Sequence, residues 1–193
     1  MIDKILNKTI SLDDLATIFG TYDTPIYYEW RNFYRLNKKL NPDGFSNGRV
    51  NHIWIQRMIC DLSNNFMKYG GQGNGKSDCT IGNKRVETKA WQLGKEQFHS
   101  AASGFFASNC KVPQYRKLME EDVDKAKSFV FEHSYDKNDF YLLTGTAKLE
   151  CKFNEIEIIL VDKQKVIDCL ESNYIKCNIN KVKSLIKEDN DGQ

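Results

Sequence analysis

Asp78, Glu87 and Lys89 are the residues whose types and spacing could do chemistry in this chain. They lie in the run Ser77-Asp78-Cys79-Thr80-Ile81-Gly82-Asn83-Lys84-Arg85-Val86-Glu87-Thr88-Lys89-Ala90-Trp91, where Gly82-Asn83 is a two-residue turn signal between two short β-favouring runs. A two-residue loop pairs Ile81 with Lys84, and counting outward sets Asp78 directly opposite Glu87. Opposed residues share a sheet face, with Cβ atoms roughly 4.5–5.5 Å apart. Two carboxylates there repel. A divalent cation such as Mg²⁺, which takes oxygen ligands and often only one or two carboxylates, gives them a reason to meet. By the same argument, removing one of the two charges should leave the metal-free chain as stable or slightly more so. Lys89 is two residues beyond Glu87, and the period of a strand returns it to the same face. An ammonium would then sit beside the metal.

An acid, a variable gap and an acid-x-lysine triplet on the next strand are the signature of the PD-(D/E)xK nuclease superfamily, which Asp78 and the triplet Glu87-Thr88-Lys89 resemble. Ser77 stands where the family name has proline. The resemblance implies an α/β nuclease core and a metal-dependent endodeoxyribonuclease, most like a type II restriction enzyme, that hydrolyses phosphodiester bonds in double-stranded DNA. It also implies roles. Asp78, Glu87 and the backbone carbonyl of Thr88 would hold Mg²⁺, for which Mn²⁺ could substitute, and Lys89 would position water or stabilise charge. The family often adds an acid from the preceding helix; Asp61 and Glu29 are the two candidates, and the sequence leaves that choice open. A DNA-repair or junction-resolving nuclease of the same superfamily is the alternative. The restriction-enzyme reading suits the material outside a minimal core, residues 1–48 and those after Phe106, which could serve base recognition and a homodimer reading a palindrome.

A rival motif matches formally. Gly70-Gly71-Gln72-Gly73-Asn74-Gly75-Lys76-Ser77 satisfies the G-x-x-x-x-G-K-[ST] pattern of a nucleotide hydrolase, and Ile158-Ile159-Leu160-Val161-Asp162 resembles the acidic strand that would complete it. A phosphate-binding loop needs a buried apolar strand before it and a helix immediately after, because the helix N-terminus helps hold the phosphate. Here Asn64 to Tyr69 reads as the end of a helical pattern, and a hairpin comes next. The order is wrong for that chemistry, so the glycines read as a loop leading into the carboxylate site.

The elements that must position these residues can be read along the chain. Ser11 caps and Gly20 stops a short helix, a second helical pattern runs from Pro25 to Leu40, and Asn41 to Gly48 is a loop. Apolar residues from Val50 to Phe66 then recur at helical spacing up to Lys68. Beyond the hairpin, Glu96 to Ala107 presents a small-residue helical face, and Pro113 to Lys127 reads as a charged helix. Strand-like runs occur at Ser128 to Phe131, Phe140 to Leu143, Lys148 to Phe153 and Glu155 to Val161; Lys163 to Lys187 is helical in pattern, and 188–193 reads as a disordered tail. This order predicts an α+β fold, a mixed β-sheet flanked by helices, in a single nuclease domain over 1–187.

Composition bounds the partners. A net charge of +2 over 193 residues is far from the basic excess that binds nucleic acid by charge alone, so DNA contacts must come from local patches. Tyr27, Tyr28, Trp30, Phe33 and Tyr34, interleaved with Arg31, Arg35, Lys38 and Lys39, could stack on or grip nucleic acid, or could face a core. Lys111, Gln114, Tyr115, Arg116 and Lys117 are ambiguous in the same way, and which residues read DNA stays unknown. Six cysteines without a C-x-x-C pair, no secretory leader and no membrane-length apolar run lead us to expect a cytoplasmic protein with reduced thiols. His52, His99 and His133 share no metal-ligand spacing.

Overall fold

The computed structural model describes residues 1–40, 48–71, 77–92, 96–101, 111–146 and 152–191. After a 3₁₀ turn at Ile2–Lys4, the chain forms β1 (Lys8–Ser11), α1 (Leu12–Phe19), α2 (Pro25–Leu40), α3 (Gly48–Leu62), β2 (Lys68–Tyr69), β3 (Cys79–Ile81), β4 (Lys84–Gln92) and β5 (Gln97–His99). It continues through α4 (Lys111–Glu121), α5 (Val123–Val130), β6 (Phe140–Thr146), β7 (Glu157–Asp162), α6 (Lys163–Asp168), β8 (Lys176–Asn178) and α7 (Ile179–Asp191). Six strands make one mixed sheet in the order β1-β7-β6-β4-β3-β2, and β5 pairs with β8 in a separate ribbon. Among the described strands of this sheet only β4 and β6 pair in parallel. A parallel pair needs a long crossover, and α4 and α5 lie within it.

Helices cover both faces, so the expected mixed sheet flanked by helices is what the chain forms. One face gathers Val86, Leu142, Ile158 and Leu160 with Leu15 of α1, Tyr27 and Tyr34 of α2, and Met58 and Ile59 of α3. The other gathers Trp91, Tyr141, Leu143, Ile159 and Val161 with Phe98 of β5, Val130 of α5, and Val182 and Ile186 of α7. Strand alternation sorts consecutive residues of β4, β6 and β7 between the two clusters.

Local chemistry explains the element ends. Ser11 and Asp14 form a reciprocal capping box on α1, and Gly20 closes it in the left-handed region at φ 72°. The third helix ends at Leu62, short of the Lys68 expected from periodicity, and residues 68–69 are a strand. Asn64 and Asn65 adopt φ 51° and 58°, a conformation that asparagine tolerates, while Phe66 reaches the same apolar cluster from a turn and stacks on Phe19. Gln97–His99 is a strand where a helical face was expected: burial alternates with period two, only Phe98 pointing inward.

Ser128–Phe131 is also not a strand. Asp122 accepts the Lys125 N–H to start α5, Ala126 and Val130 bury one helical face, and a π-helical turn over Phe131–Tyr135 comes after it, so packing overrides the β-favouring residues. The charged helix expected over Pro113 to Lys127 accordingly divides into α4 and α5. Phe153–Glu155 forms a 3₁₀ turn. The helical pattern from 163 to 187 is broken by β8, after a turn in which Tyr174 takes φ 55° and the Asn173 side chain accepts the N–H groups of Ile175 and Lys176. In the expected tail, residues 188–191 belong to α7, which buries Ile179, Val182 and Ile186. The N-terminal region expected to be helical contributes β1, paired antiparallel with β7. Residues 41–47 of the expected loop, 72–76 of the glycine run, 102–107 of the expected helix, 148–151 of the expected strand and 192–193 of the tail lie outside the described residues.

Candidate active site

The hairpin that carries the acids closes in the register its sequence implies: Ile81 pairs with Lys84, Thr80 with Arg85 and Cys79 with Val86. Gly82 takes φ +59° and Asn83 does not share its positive φ, the combination of a type II′ turn with glycine first. Continuing this register by one step would set Asp78 opposite Glu87, where β3 stops and β4 runs on. The exposed edge of β4 is completed by a side chain, since Asp78 Oδ2 accepts the backbone N–H of Thr88 at 2.9 Å. A residue in a strand points its N–H and C=O to the same side, as paired residues that exchange both bonds require. The Thr88 carbonyl is therefore directed to the side from which Asp78 approaches. Two carboxylates and a carbonyl are the donor set that a hard divalent cation takes.

Lys89 shares its face with Glu87, and its Nζ donates to Glu87 Oε1 at 2.6 Å. The side chains of Lys89 and Glu87 are only 11% and 16% exposed, so this charge-assisted bond forms in partial shelter from water. Glu87 is therefore half of an ion pair as well as a neighbour of Asp78 in sequence register, so neutralising it leaves the Lys89 ammonium without this partner. Beside it on the parallel strand, in register with Glu87, stands Tyr141. Its hydroxyl is buried near Asn138, and desolvation first, then the neighbouring Tyr135 and the negative charge of Glu87, push its pKa up. The buried Thr88 hydroxyl lies beside the Cys79 thiol.

Two braces hold the hairpin. Asp139, just ahead of β6, accepts the Arg85 N–H at 2.8 Å and the Lys84 ammonium at 3.1 Å, and its own N–H donates to the Arg85 carbonyl. The Arg85 bond first, and Lys84 after it, hold this carboxyl below the ordinary carboxylate range. On the other side the Gly70 N–H donates to the Asp78 carbonyl at 2.8 Å, and a Cβ at position 70 would sit 1.9 Å from the Ser77 carbonyl oxygen. Glycine is required there by close backbone approach. The chain beyond Ser77 enters β3, so a strand stands where a nucleotide-binding loop would need a helix. Beneath the site the Cys60 and Cys79 sulfurs lie 3.7 Å apart, both buried, and Cys79 resists ionisation because of Cys60, burial and the nearby Asp78 charge.

The other residues singled out in the sequence fall elsewhere. Asp61 lies on α3, which packs on the opposite face of the sheet from Glu87, and its carboxylate accepts the Trp30 indole N–H at 2.8 Å. Glu29 is exposed on α2. Among the described residues no group of three or more His, Cys, Asp or Glu converges on one point, so neither acid joins Asp78 and Glu87. Of the aromatic series on α2, Tyr27 and Tyr34 are buried, whereas Tyr28 and Phe33 are exposed. Tyr115 is buried and donates to the Asn173 carbonyl, while Gln114, Arg116 and Lys117 face solvent. His133 hydrogen-bonds the Phe129 carbonyl through Nδ1 within its own helical segment. His99 has moved from bystander to neighbour: partial desolvation, then the ammonium groups of Lys176 and Lys89, lower its pKa. Sequence spacing hid this, because Lys176 reaches β5 only through the pairing with β8. Four described cysteines, Cys60, Cys79, Cys169 and Cys177, are free and buried. Among the described residues no helix is long and apolar enough to cross a membrane. No protein-family model, curated protein or solved structure matches this chain.

Proposed function

We propose that the chain is a metal-dependent endodeoxyribonuclease of the PD-(D/E)xK type, acting on double-stranded DNA as a type II restriction enzyme does. The observation that carries the reading is the bond from the Thr88 N–H to the Asp78 carboxylate at the end of the β3–β4 hairpin, with Glu87 and Lys89 hydrogen-bonded to each other on either side of Thr88. The sheet supports it too, since the acid-x-lysine strand is central and parallel to β6, which fixes the site on a rigid element.

In this reading Asp78, Glu87 and the Thr88 carbonyl would hold Mg²⁺, with Mn²⁺ as a substitute. The bound ion would supply Lewis acidity toward a phosphate oxygen and lower the pKa of a coordinated water. The chain's own residues do the rest. Thr88 N–H orients the Asp78 carboxylate, and Glu87 holds the Lys89 ammonium at the site until substrate arrives. Lys89 then faces the phosphate, where a fixed positive charge favours the transition state over the ground state because negative charge grows there. A homodimer would place two such sites on opposite strands of a palindrome.

The deciding experiment incubates the full chain with phage DNA and Mg²⁺, with and without chelator. Discrete bands that vanish with chelator are expected. A smear would indicate a nonspecific nuclease, cleavage confined to branched DNA would indicate a junction-resolving enzyme, and cleavage that survives rigorous metal removal would refute the site.

A further inference from the structure

A narrow seam holds α2 to the rest of the molecule: Tyr27 and Tyr34, seven residues apart, are its buried side chains, and Trp30 between them donates to Asp61 on α3. The outer surface divides by charge. Arg31, Arg35 and Lys39 are exposed at intervals of four residues, which makes them one row about 12 Å long at a helical rise of about 1.5 Å per residue. Phe33, Leu36 and Leu40 form a second exposed row, with the acid Glu29 in line with them. The cationic row has no acid on its own helix to balance it, because the residues three or four positions from Arg31 and Arg35 are Tyr27, Tyr28, Asn32, Tyr34, Lys38, Lys39 and each other. Carboxylates packed around α2 are already engaged: Asp13 accepts the Tyr27 hydroxyl, Asp23 that of Tyr28, and Asp61 the Trp30 indole. Among the described residues no ion pair includes Arg31, Arg35 or Lys39, whereas Lys84, Lys117, Lys125 and Lys165 each meet a carboxylate. Like charges four residues apart on a helix repel, and exposed side chains gain nothing from packing that would offset this. With four cations against Glu29, this one helix holds more positive charge than the net +2 of the whole chain.

We propose that the row of Arg31, Arg35 and Lys39 binds the phosphate backbone of duplex DNA. A duplex carries one negative charge per about 1.7 Å of its axis, so a straight row of three cations meets enough phosphates to pair each one. The charge pattern selects this partner. A second copy of the chain would bring two positive rows together, and a membrane surface would need the apolar row clear of acid, whereas Glu29 stands in line with it and Phe33 packs edge-on against Trp30 and Trp54. The row lies on the sheet face opposite Glu87 and Lys89, so its residues bind DNA and take no part in the reaction. The inference rests on the nuclease reading for the choice of DNA as the polyanion, and adds to it a place where the duplex is held.

The test measures binding apart from cleavage, with a labelled DNA duplex in Ca²⁺ titrated over a series of salt concentrations. The triple variant Arg31→Gln, Arg35→Gln, Lys39→Gln should bind at least about 10-fold more weakly, with the salt slope reduced by about two to three, since each lost phosphate contact removes roughly 0.9 from it. Glutamine keeps helix propensity and removes the repulsion, so this variant should melt no lower than wild type. In plasmid cleavage with Mg²⁺ it should raise KM far more than it lowers kcat. A control with Lys117→Gln and Lys125→Gln removes two cations that already have partners, and should keep wild-type affinity and slope. Unchanged affinity and slope in the triple variant would overturn the proposal, as would an equal loss in the control, which would make the effect one of overall charge. Binding of the wild-type chain to phosphatidylserine vesicles that the triple variant loses, with duplex binding intact, would overturn it in favour of a membrane contact. If the triple variant fails to fold, the three single variants decide: each should lower the slope by about one, and three unchanged slopes overturn the proposal. A wild-type chain that binds the duplex through this row without cleaving it sinks the nuclease reading and leaves the contact standing. A wild-type chain that cleaves DNA while the triple variant matches it refutes only the contact, and one that neither binds nor cleaves sinks both.

Discussion

Val86 and Thr88 on one face of β4 are fully buried, whereas Glu87 and Lys89 on the other face sit between apolar neighbours and keep a measure of contact with water. The first face serves packing, and its residues meet α1 to α3 through an apolar cluster. The second face interrupts its own cluster, with Trp91 and Tyr141 beside an ion pair. Placing charges where hydrophobic side chains would add stability is a cost that packing alone does not explain. The difference between the faces separates what the strand does for the fold from what it does for chemistry.

Substitutions on the two faces should therefore fail in different ways. Lys89→Ala should have the largest effect, lowering kcat by about 10²–10³ while DNA binding in Ca²⁺ stays near wild type; loss of binding in step with turnover would make Lys89 a docking residue. Leu142→Ala, on the packing face of β6, should cost about 2–5 kcal/mol in urea unfolding, yet leave kcat within a few-fold wherever the protein is folded. A collapse of activity in folded Leu142→Ala would erase the contrast.

Gly70→Ala should cost about 1–3 kcal/mol and also impair cleavage, since the clash with the Ser77 carbonyl can be relieved only by moving the backbone that presents Asp78. Glu87→Gln should destabilise the metal-free chain by about 1–3 kcal/mol, because the sheltered Lys89 loses its charged partner; pairing it with Lys89→Met should restore part of the loss. A Glu87→Gln chain at least as stable as wild type would show that repulsion from Asp78 outweighs the ion pair.

The smallest effect concerns Asp139. Its carboxyl is held below its ordinary value of 3.8, so it binds its proton less readily folded than unfolded. Its stabilising contribution is present above the unfolded pKa and is lost as pH falls below about 3.8 through the folded value. Asp139→Asn should therefore flatten the acid limb of the stability curve and cost about 1 kcal/mol or less at neutral pH, given its exposure. An unchanged acid limb would remove Asp139 as a brace of the hairpin.

The site was legible where its geometry is local. A two-residue turn fixes its own register, and the capping box at Ser11 with Gly20 beyond fixes α1, because each needs only residues a few positions apart. What escaped the sequence depends on distant partners. The Phe129-Val130-Phe131 run has strand-forming residues but packs as helix and π-turn, and β1 has no internal signal and exists by pairing with β7. The neighbourhood of His99 belongs to the same class, since its cross-strand partner Lys176 is 77 positions away.

The edge position of β1 has a consequence for how the molecule assembles. Among the described strands β1 pairs only with β7, at 157–160, so these four residues must wait for a strand far along the chain before they can join the sheet. Contacts of such high sequence separation slow folding, because chain closure comes before any gain from pairing. During synthesis the hairpin with Asp78 and Glu87 can close early, while the sheet that steadies it stays unfinished until β6 and β7 have emerged. Hydrogen exchange after dilution from denaturant should accordingly protect the β3–β4 amides before those of Thr9 and Ile10, so the geometry around Asp78 and Glu87 should mature in two steps.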